Sequence, residues 1–263
     1  MARPSEPLFV AERKEQILQL LKEQSKIFVP DLCERFNVSP VTVRNDLREL
    51  EAAGRLRRTH GGAISIERET GEMDLSVSSI SNLEAKRHIA QRAASLVCDG
   101  DVIAMDFGTT VLEFARCLIK KKELSIVTND LRVALQLEAT MPDAKIVLIG
   151  GVMRNGQHYT AGPIALKSLH GLNVNKAFIG AGGYSVESGF TTSCLERTEV
   201  KRMMMELARE TIIMADSSKA GKAAFVHFSA LEDADRLITD KGLPEAIAAD
   251  IRYCAPGLNL DLV

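Results

Sequence analysis

The segment from Ser39 to Leu50 carries side chains that could read the edges of DNA bases. If it forms a helix, Val43, Leu47 and Leu50 share one apolar stripe, since residues three and four apart are neighbours on a helix. Arginine can bind guanine through two hydrogen bonds, asparagine can bind adenine, and a helix N-terminus favours a phosphate. The opposite face and the N-cap serine supply the candidate DNA-binding residues: Ser39, Val41, Thr42, Arg44, Asn45 and Arg48.

A predicted hairpin follows this helix and adds further cations. Its two strands flank the turn Gly61-Gly62, and it carries three candidate DNA-binding residues: Arg57, Arg58 and His60. A two-stranded wing of this kind can lay cations along phosphates, which gives affinity without sequence information. We therefore expect the helix to specify the sequence and the wing to strengthen binding.

The same helix also fits an amphipathic surface helix with ordinary charges. Asp46, Glu49 and Glu51 favour that alternative, because carboxylates repel DNA phosphates unless they face away from them. The adjoining cationic hairpin favours the DNA-binding interpretation.

A second set of residues stands where predicted strands end in the rest of the chain. The carboxyl edge of a parallel sheet is where open α/β folds bind ligands, and glycines, hydroxyls and helix N-termini at that edge suit an anion such as phosphate. The candidate ligand-binding residues of this pattern are Asp106, Gly108, Thr109, Thr110, Thr128, Asn129, Gly150, Gly151 and Lys219. Each also has a structural explanation, since glycine after a strand commonly forms a tight turn and Thr-Asn-Asp commonly caps a helix.

Hydrophobic periodicity predicts the elements that must position both sets. In the N-terminal part it predicts three helices, over 11–24, 31–36 and 39–53, followed by the hairpin. Beyond residue 83 strands alternate with helices. The predicted strands are Val102–Met105, Leu124–Val127, Lys145–Ile149, Ala177–Ile179, Thr211–Ala215, Arg236–Thr239 and Ile251–Cys254; the predicted helices are Glu84–Val97, Thr110–Ile119, Asp130–Glu138, Ile164–Leu169, Leu195–Arg209 and Pro244–Ala249.

This order predicts an α/β protein of two domains. A winged helix-turn-helix occupies residues 10–66, a polar linker residues 67–82, and a mostly parallel α/β domain residues 83–263. Hydrophobic residues make up 46% of the 263 residues and charged residues 26%, which is enough apolar material for a sizeable core and excludes wholesale disorder.

Several other classes of protein are disfavoured by the sequence. No apolar run reaches the length of a membrane helix, and the N-terminus lacks the pattern of a secretory signal. The five cysteines form no CxxC pair, and no histidine lies at ligand spacing, so no metal or other cofactor is indicated. We expect a cytoplasmic protein that does not bind a membrane.

The N-terminal part resembles the winged helix-turn-helix of the DeoR family of bacterial transcriptional regulators. The resemblance runs from Ser39 to Glu51 and continues through Gly54, Arg58 and the run from His60 to Ala63. Many members carry two consecutive arginines where this chain has Arg44-Asn45. The resemblance implies binding to double-stranded operator DNA.

The rest of the chain resembles the C-terminal sensor domain of the same family, which is similar in fold to ribose-5-phosphate and glucosamine-6-phosphate isomerases. The resemblance implies a phosphorylated sugar effector, with its phosphate against Gly108, Thr109, Thr110 and Lys219. Asp106, Asn129 and Glu196 would then bind the sugar hydroxyls. Lys201 and Arg202 follow on the same helix, where they would either help to bind the ligand or lie in solvent.

The function predicted is a repressor of a sugar-catabolism operon that a sugar phosphate releases from its operator. One alternative is a sugar-phosphate isomerase with an appended DNA-binding domain, because Asp106, Glu196 and Lys219 are chemically capable of acid–base catalysis. Another is a purely structural DNA-binding protein. A single short recognition helix also predicts a homo-oligomer, a dimer or a tetramer, that binds paired half-sites.

Overall fold

The computed structural model describes residues 10–24, 26–53, 55–59, 61–64, 82–153 and 156–263. The chain divides into two compact units at about residue 77. Several features predicted from the sequence lie outside the described residues: Gly54, His60, the side chain of Arg57, and the predicted linker apart from Asn82.

The N-terminal unit is a winged helix-turn-helix, as predicted. Its elements are α1 (Val10–Gln24), β1 (Lys26–Phe28), α2 (Val29–Phe36), α3 (Pro40–Ala52), β2 (Arg57–Thr59) and β3 (Gly62–Ile64). The sequence did not predict β1, which pairs antiparallel with β3 and makes the hairpin a three-stranded sheet in the order β1-β3-β2. The core lies between the three helices and this sheet.

Helix α3 begins where the local sequence predicts. The Oγ of Ser39 accepts a hydrogen bond of 3.2 Å from the Thr42 N–H, and Pro40 occupies the first turn. The predicted stripe of Val43, Leu47 and Leu50 is buried. These residues attach α3 to the rest of the unit and leave its other side in solvent.

The C-terminal unit is built on a seven-stranded parallel sheet, which confirms the predicted fold class. Its strands lie in the order β15-β14-β12-β9-β4-β5-β6. The strands are β4 (Val102–Met105), β5 (Ser125–Thr128), β6 (Lys145–Leu148), β9 (Val174–Gly180), β12 (Ala208–Met214), β14 (Arg236–Thr239) and β15 (Asn259–Leu262). The helices are α4 (Leu83–Ser95), α5 (Thr109–Cys117), α6 (Leu131–Thr140), α7 (Pro163–Leu169), α8 (Leu195–Glu206) and α9 (Glu245–Cys254).

The predicted strand over Ile251–Cys254 is wrong, because these residues form the end of helix α9. Ala248 and Ile251 are buried three residues apart, which is helical spacing, and the Tyr253 side chain is 87% exposed. The last strand is β15 instead, whose alternation of Asn, Leu, Asp and Leu is too short to stand out from the sequence.

Short antiparallel strands that the sequence did not predict also belong to this unit. They are β7 (Val152–Met153), β8 (Thr160–Ala161), β10 (Gly183–Ser185), β11 (Gly189–Thr192) and β13 (Val226–Ser229). They form a pair, β7-β8, and a small sheet in the order β10-β11-β13. They are only two to four residues long, which is too short for periodicity alone to reveal them.

Parallel pairing places the carboxyl ends of β12, β9, β4, β5 and β6 side by side at one edge of the main sheet. A large apolar cluster below this edge holds the strands in place; it includes Met105, Phe114, Phe178 and Ile212, all without solvent exposure. The edge is therefore a rigid platform for the polar residues that follow each strand.

Candidate functional site

The solvent side of α3 carries the residues that the sequence selected for base contacts. Val41, Arg44, Asn45 and Arg48 are exposed, as is the capping Ser39, while Thr42 is half-buried. Val41 exposes 64% of its surface, which is unusual for an apolar residue and leaves it available to a thymine methyl group. Contact with bases stays a prediction.

Two of the acidic residues of α3 are held by cations from α1. Asp46 is buried, and it accepts hydrogen bonds of 2.6 and 3.2 Å from the Nε and Nη2 of Arg13. The carboxylate raises the pKa of Arg13 above its ordinary value. Glu49 pairs with Lys14, whose ammonium lowers the pKa of Glu49. Asp46 thus turns away from the exposed face, as the DNA-binding interpretation requires.

Arg58 lies on the wing strand β2 beside the third acid. Its backbone N–H donates to Glu51 at 2.9 Å, and its guanidinium is 3.7 Å from the same carboxylate. The Arg58 side chain remains 34% exposed. This arrangement neutralises Glu51 and leaves the Arg58 guanidinium partly exposed at the wing.

At the sheet edge of the C-terminal unit, Asp106 follows β4 and forms a buried ion pair with Lys201 of α8. Lys201 also donates to the Gly180 carbonyl at 2.8 Å, and the Gly180 N–H donates to Asp106 at 3.1 Å. Burial lowers the pKa of Lys201, and the Asp106 carboxylate opposes that shift. Lys201 therefore belongs to the platform and does not lie in solvent, whereas Arg202 binds the carbonyls of His227 and Phe228.

Asn129, which follows β5, holds an acceptor that the fold leaves unused. Its Nδ2 donates to the Thr160 carbonyl at 2.9 Å, but its Oδ1 has no hydrogen-bond partner although the side chain is 1% exposed. A buried polar atom without a partner is destabilising by about 1–3 kcal/mol. A hydrogen bond from a ligand hydroxyl to this oxygen stays a prediction.

Gly108, Thr109 and Thr110 lie where β4 leads into α5. Gly108 has a φ of 143°, and a Cβ built there would meet no atom within 4 Å. The space above this turn is open, and the N-terminus of α5 points at it. The Gly108 N–H donates to the Asp130 carboxylate at 3.4 Å, and anion binding at this turn stays a prediction.

Other predicted ligand residues have structural contacts. The Thr128 hydroxyl is buried and accepts from the Asp130 N–H at 3.2 Å. At Gly151 a Cβ would lie 2.7 Å from the Ala161 carbonyl oxygen, so this glycine is needed for close packing, whereas Gly150 is exposed. Glu196 is exposed at the start of α8 and accepts from the Cys194 thiol at 2.8 Å.

Lys219 ends a single 3₁₀ turn, Ser217–Lys219, that follows β12. Lys86 of α4 is buried nearby: burial lowers the pKa of Lys86, the Asp216 carboxylate opposes the shift, and the Lys219 ammonium adds to it. The sequence analysis missed Lys86. Its signal was available, because Lys86 shares an apolar helical stripe with Ile89, Ala90 and Ala93.

The sequence analysis also missed an arginine–aromatic cluster at the same edge. The Arg197 guanidinium lies 5.1 Å from the ring centroid of Phe107 and 5.4 Å from that of Tyr159, and these two rings are 4.6 Å apart. Arg132 lies 5.5 Å from the Phe107 ring and forms a bidentate pair with Asp130. The cluster adds cationic side chains to the residues that follow β4 and β5.

The described residues contain no helix long and apolar enough to cross a bilayer. Within the same part of the chain, no three His, Cys, Asp or Glu side chains come close enough together to hold a metal ion.

Two family models match the chain and together span most of it. Residues 13–69 match the DeoR-like helix-turn-helix domain, and residues 81–241 match the DeoR C terminal sensor domain.

Similar proteins match along nearly the whole length. The HTH-type transcriptional regulator YulB of Bacillus subtilis is 37% identical over 91% of this chain and 92% of its own. The transcriptional repressor AccR of Agrobacterium fabrum is 33% identical over 88% of this chain and 90% of its own. Among solved structures, ribose 5-phosphate isomerase A of Methanocaldococcus jannaschii matches 53% of this chain and 55% of its own at 20% identity, with a TM-score of 0.40.

Proposed function

Because the chain belongs to the DeoR family of DNA-binding transcriptional regulators, we propose that it represses a sugar-catabolism operon and is released from its operator by a phosphorylated sugar. Like these relatives, it is a transcriptional regulator and not an enzyme. The name of AccR, a transcriptional repressor, supports repression as the mode of control.

The observation that carries the effector proposal is the unused Oδ1 of Asn129, which follows β5, the neighbour of the strand β4 that leads into the open Gly108 turn. A hydroxyl donor would satisfy this oxygen, and the α5 N-terminus with Lys219 would hold a phosphate. Asp106 contributes through its pair with Lys201, since it fixes the end of β4 from which the turn starts. A polyhydroxylated compound with a phosphate matches this combination of groups.

The operator proposal rests on the exposed face of α3. Ser39, Val41, Thr42, Arg44, Asn45 and Arg48 would enter the major groove, and Arg57, Arg58 and His60 would follow the phosphates. One such helix has a small footprint, so the proposal includes a homo-oligomer, a dimer or a tetramer, on paired half-sites. It also includes a cytoplasmic location, where the DNA is.

Arg44→Ala is expected to weaken operator binding by about 5- to 150-fold, which corresponds to the roughly 1–3 kcal/mol of one bidentate base contact. Binding to random duplex should change far less. Arg58→Ala is the matched control, because losing a phosphate contact weakens both duplexes alike and lowers the salt slope by about one. Fluorescence anisotropy at several salt concentrations, with an operator selected from a random duplex library, measures both. Equal losses on the two duplexes for Arg44→Ala would contradict the base-reading role.

Lys219→Ala is expected to weaken sugar-phosphate binding by about 10- to 150-fold, the value of a hydrogen bond to a charged group, and to leave operator binding without sugar phosphate unchanged. Calorimetric titration with the sugar phosphate that most raises the unfolding temperature, chosen from triose to hexose phosphates, measures the affinity. Lys222→Ala removes an exposed lysine three residues away and should have no effect. If no sugar phosphate binds the wild-type protein, the effector proposal fails.

A further inference from the structure

Asn82, which immediately precedes α4, is tied to the turn that carries Lys219. Its Nδ2 donates to Asp216 Oδ1 at 2.9 Å and to Ser218 Oγ at 3.0 Å. Asp216 is buried and also accepts from the Ser218 N–H at 3.1 Å, so one carboxylate organises both the turn and Asn82.

The backbone of Asn82 adopts a conformation that L-residues rarely keep. Its φ is 54° and its ψ is 35°, in the left-handed region, which asparagine tolerates better than most residues but does not prefer. Side-chain hydrogen bonds that hold such a residue select one of two discrete backbone directions. If they broke, Asn82 would relax to negative φ and the preceding chain would leave α4 in a different direction.

The backbone of Asn82 is also hydrogen-bonded to Lys86, the second lysine of this region. The Lys86 N–H donates to the Asn82 carbonyl at 3.0 Å in the first turn of α4. The buried Lys86 side chain lies within the electrostatic influence of Asp216 and Lys219. A dianion at Lys219 would therefore alter the field at the carboxylate that holds Asn82.

We propose that Asn82 is the positioning residue that converts anion binding at the Asp216–Lys219 turn into a change in the backbone direction of the chain entering the C-terminal unit. The inference rests on the proposed function and names the contact that links the effector to the operator. The observed left-handed backbone of Asn82 and a relaxed one at negative φ would be the two discrete states that such a coupling needs. Sugar-phosphate binding itself does not require the Asn82 amide.

Asn82→Gly separates these roles, because glycine adopts the left-handed conformation freely but has no amide to donate. In the wild-type protein, sugar phosphate should change operator affinity by about 5- to 150-fold. In Asn82→Gly we expect sugar phosphate to change operator affinity by no more than about twofold. The affinity of this variant for sugar phosphate should stay within about threefold of wild type. Glu123→Gly is the matched control, since Glu123 also has a positive φ, 57°, and is exposed. It should keep the wild-type factor.

A second readout does not depend on the operator. Hydrogen exchange of the full chain, with and without inorganic phosphate, reports on the Ser218–Lys219 amides and on the first turn of α4. In the wild-type protein phosphate should slow or speed exchange at both places, whereas in Asn82→Gly only the turn should respond. An α4 response that persists in Asn82→Gly, or an unchanged coupling factor, overturns the inference while leaving the effector site intact. Absence of any response at the wild-type turn overturns the phosphate site and the inference with it.

Discussion

Asp46→Ala is expected to destabilise the N-terminal unit by about 3–5 kcal/mol, because it leaves the Arg13 guanidinium buried without the carboxylate that faces it. The two side chains are only 8% and 6% exposed, so water cannot replace the lost partner. A domain is typically stable by about 5–15 kcal/mol, so this loss should unfold a large fraction of the unit at growth temperature and abolish operator binding. Native-state hydrogen exchange of the α1 and α3 amides in the full chain measures the effect.

The chain offers a matched control for this substitution. Glu49 also joins α3 to α1, through Lys14, but its side chain is 65% exposed, so Glu49→Ala should change stability by less than about 1 kcal/mol. The double variant Arg13→Met with Asp46→Leu should recover most of the loss, since an apolar pair can replace a buried ion pair. If Asp46→Ala costs no more than Glu49→Ala, the buried pair does not hold the recognition helix in place.

Lys201→Met is expected to destabilise the C-terminal unit by a similar amount, about 3–5 kcal/mol. Among the described residues, the Asp106 carboxylate, 2% exposed, would keep the Gly180 N–H as its donor. Hydrogen exchange of the β4 and β9 amides measures the destabilisation.

Arg252→Met supplies the comparison for Lys201→Met. Arg252 pairs with Glu245 on the surface at 3.1 Å, with the two side chains 50% and 79% exposed. Its loss should change stability by less than about 1 kcal/mol. If Lys201→Met costs no more than Arg252→Met, the buried pair does not hold the end of β4 in place.

Local interactions explain the parts of the fold that the sequence predicted well. Ser39 caps α3 through its neighbour Thr42, and the predicted strands Val102–Met105 and Arg236–Thr239 agree with the structure in both bounds. In each case the decisive contacts or the apolar run lie within a few residues. Such signals survive in a single sequence.

The errors arise where distant contacts decide the structure. Residues 251–254 read as a short apolar strand, but they continue a helix whose buried face packs elsewhere in the unit. Lys201 lies 95 residues from its partner Asp106, and Asn82 lies 134 residues from Asp216. No local pattern reveals that a lysine will be buried opposite a particular carboxylate.

The candidate ligand-binding residues also divide into features that local sequence predicts and features that distant contacts decide. Strand ends predicted the sheet edge that gathers Asp106, Gly108, Asn129 and Lys219 in one region. Whether a polar atom at this edge has a hydrogen-bond partner depends on the antiparallel strand β8, which the sequence did not predict. This strand supplies the carbonyl that accepts from the Asn129 amide. The edge was therefore predictable, but the unused acceptor on it was not.

Within the part of the chain that the structure describes, the buried core of the winged helix comes from residues between Ile17 and Ala63, whereas the last strand of the main sheet, β15, spans Asn259–Leu262. During translation at about 5–20 residues per second, the winged helix can fold about 10–40 seconds before the sheet receives its last strand. The winged helix can therefore be folded on the ribosome while the C-terminal unit is still incomplete.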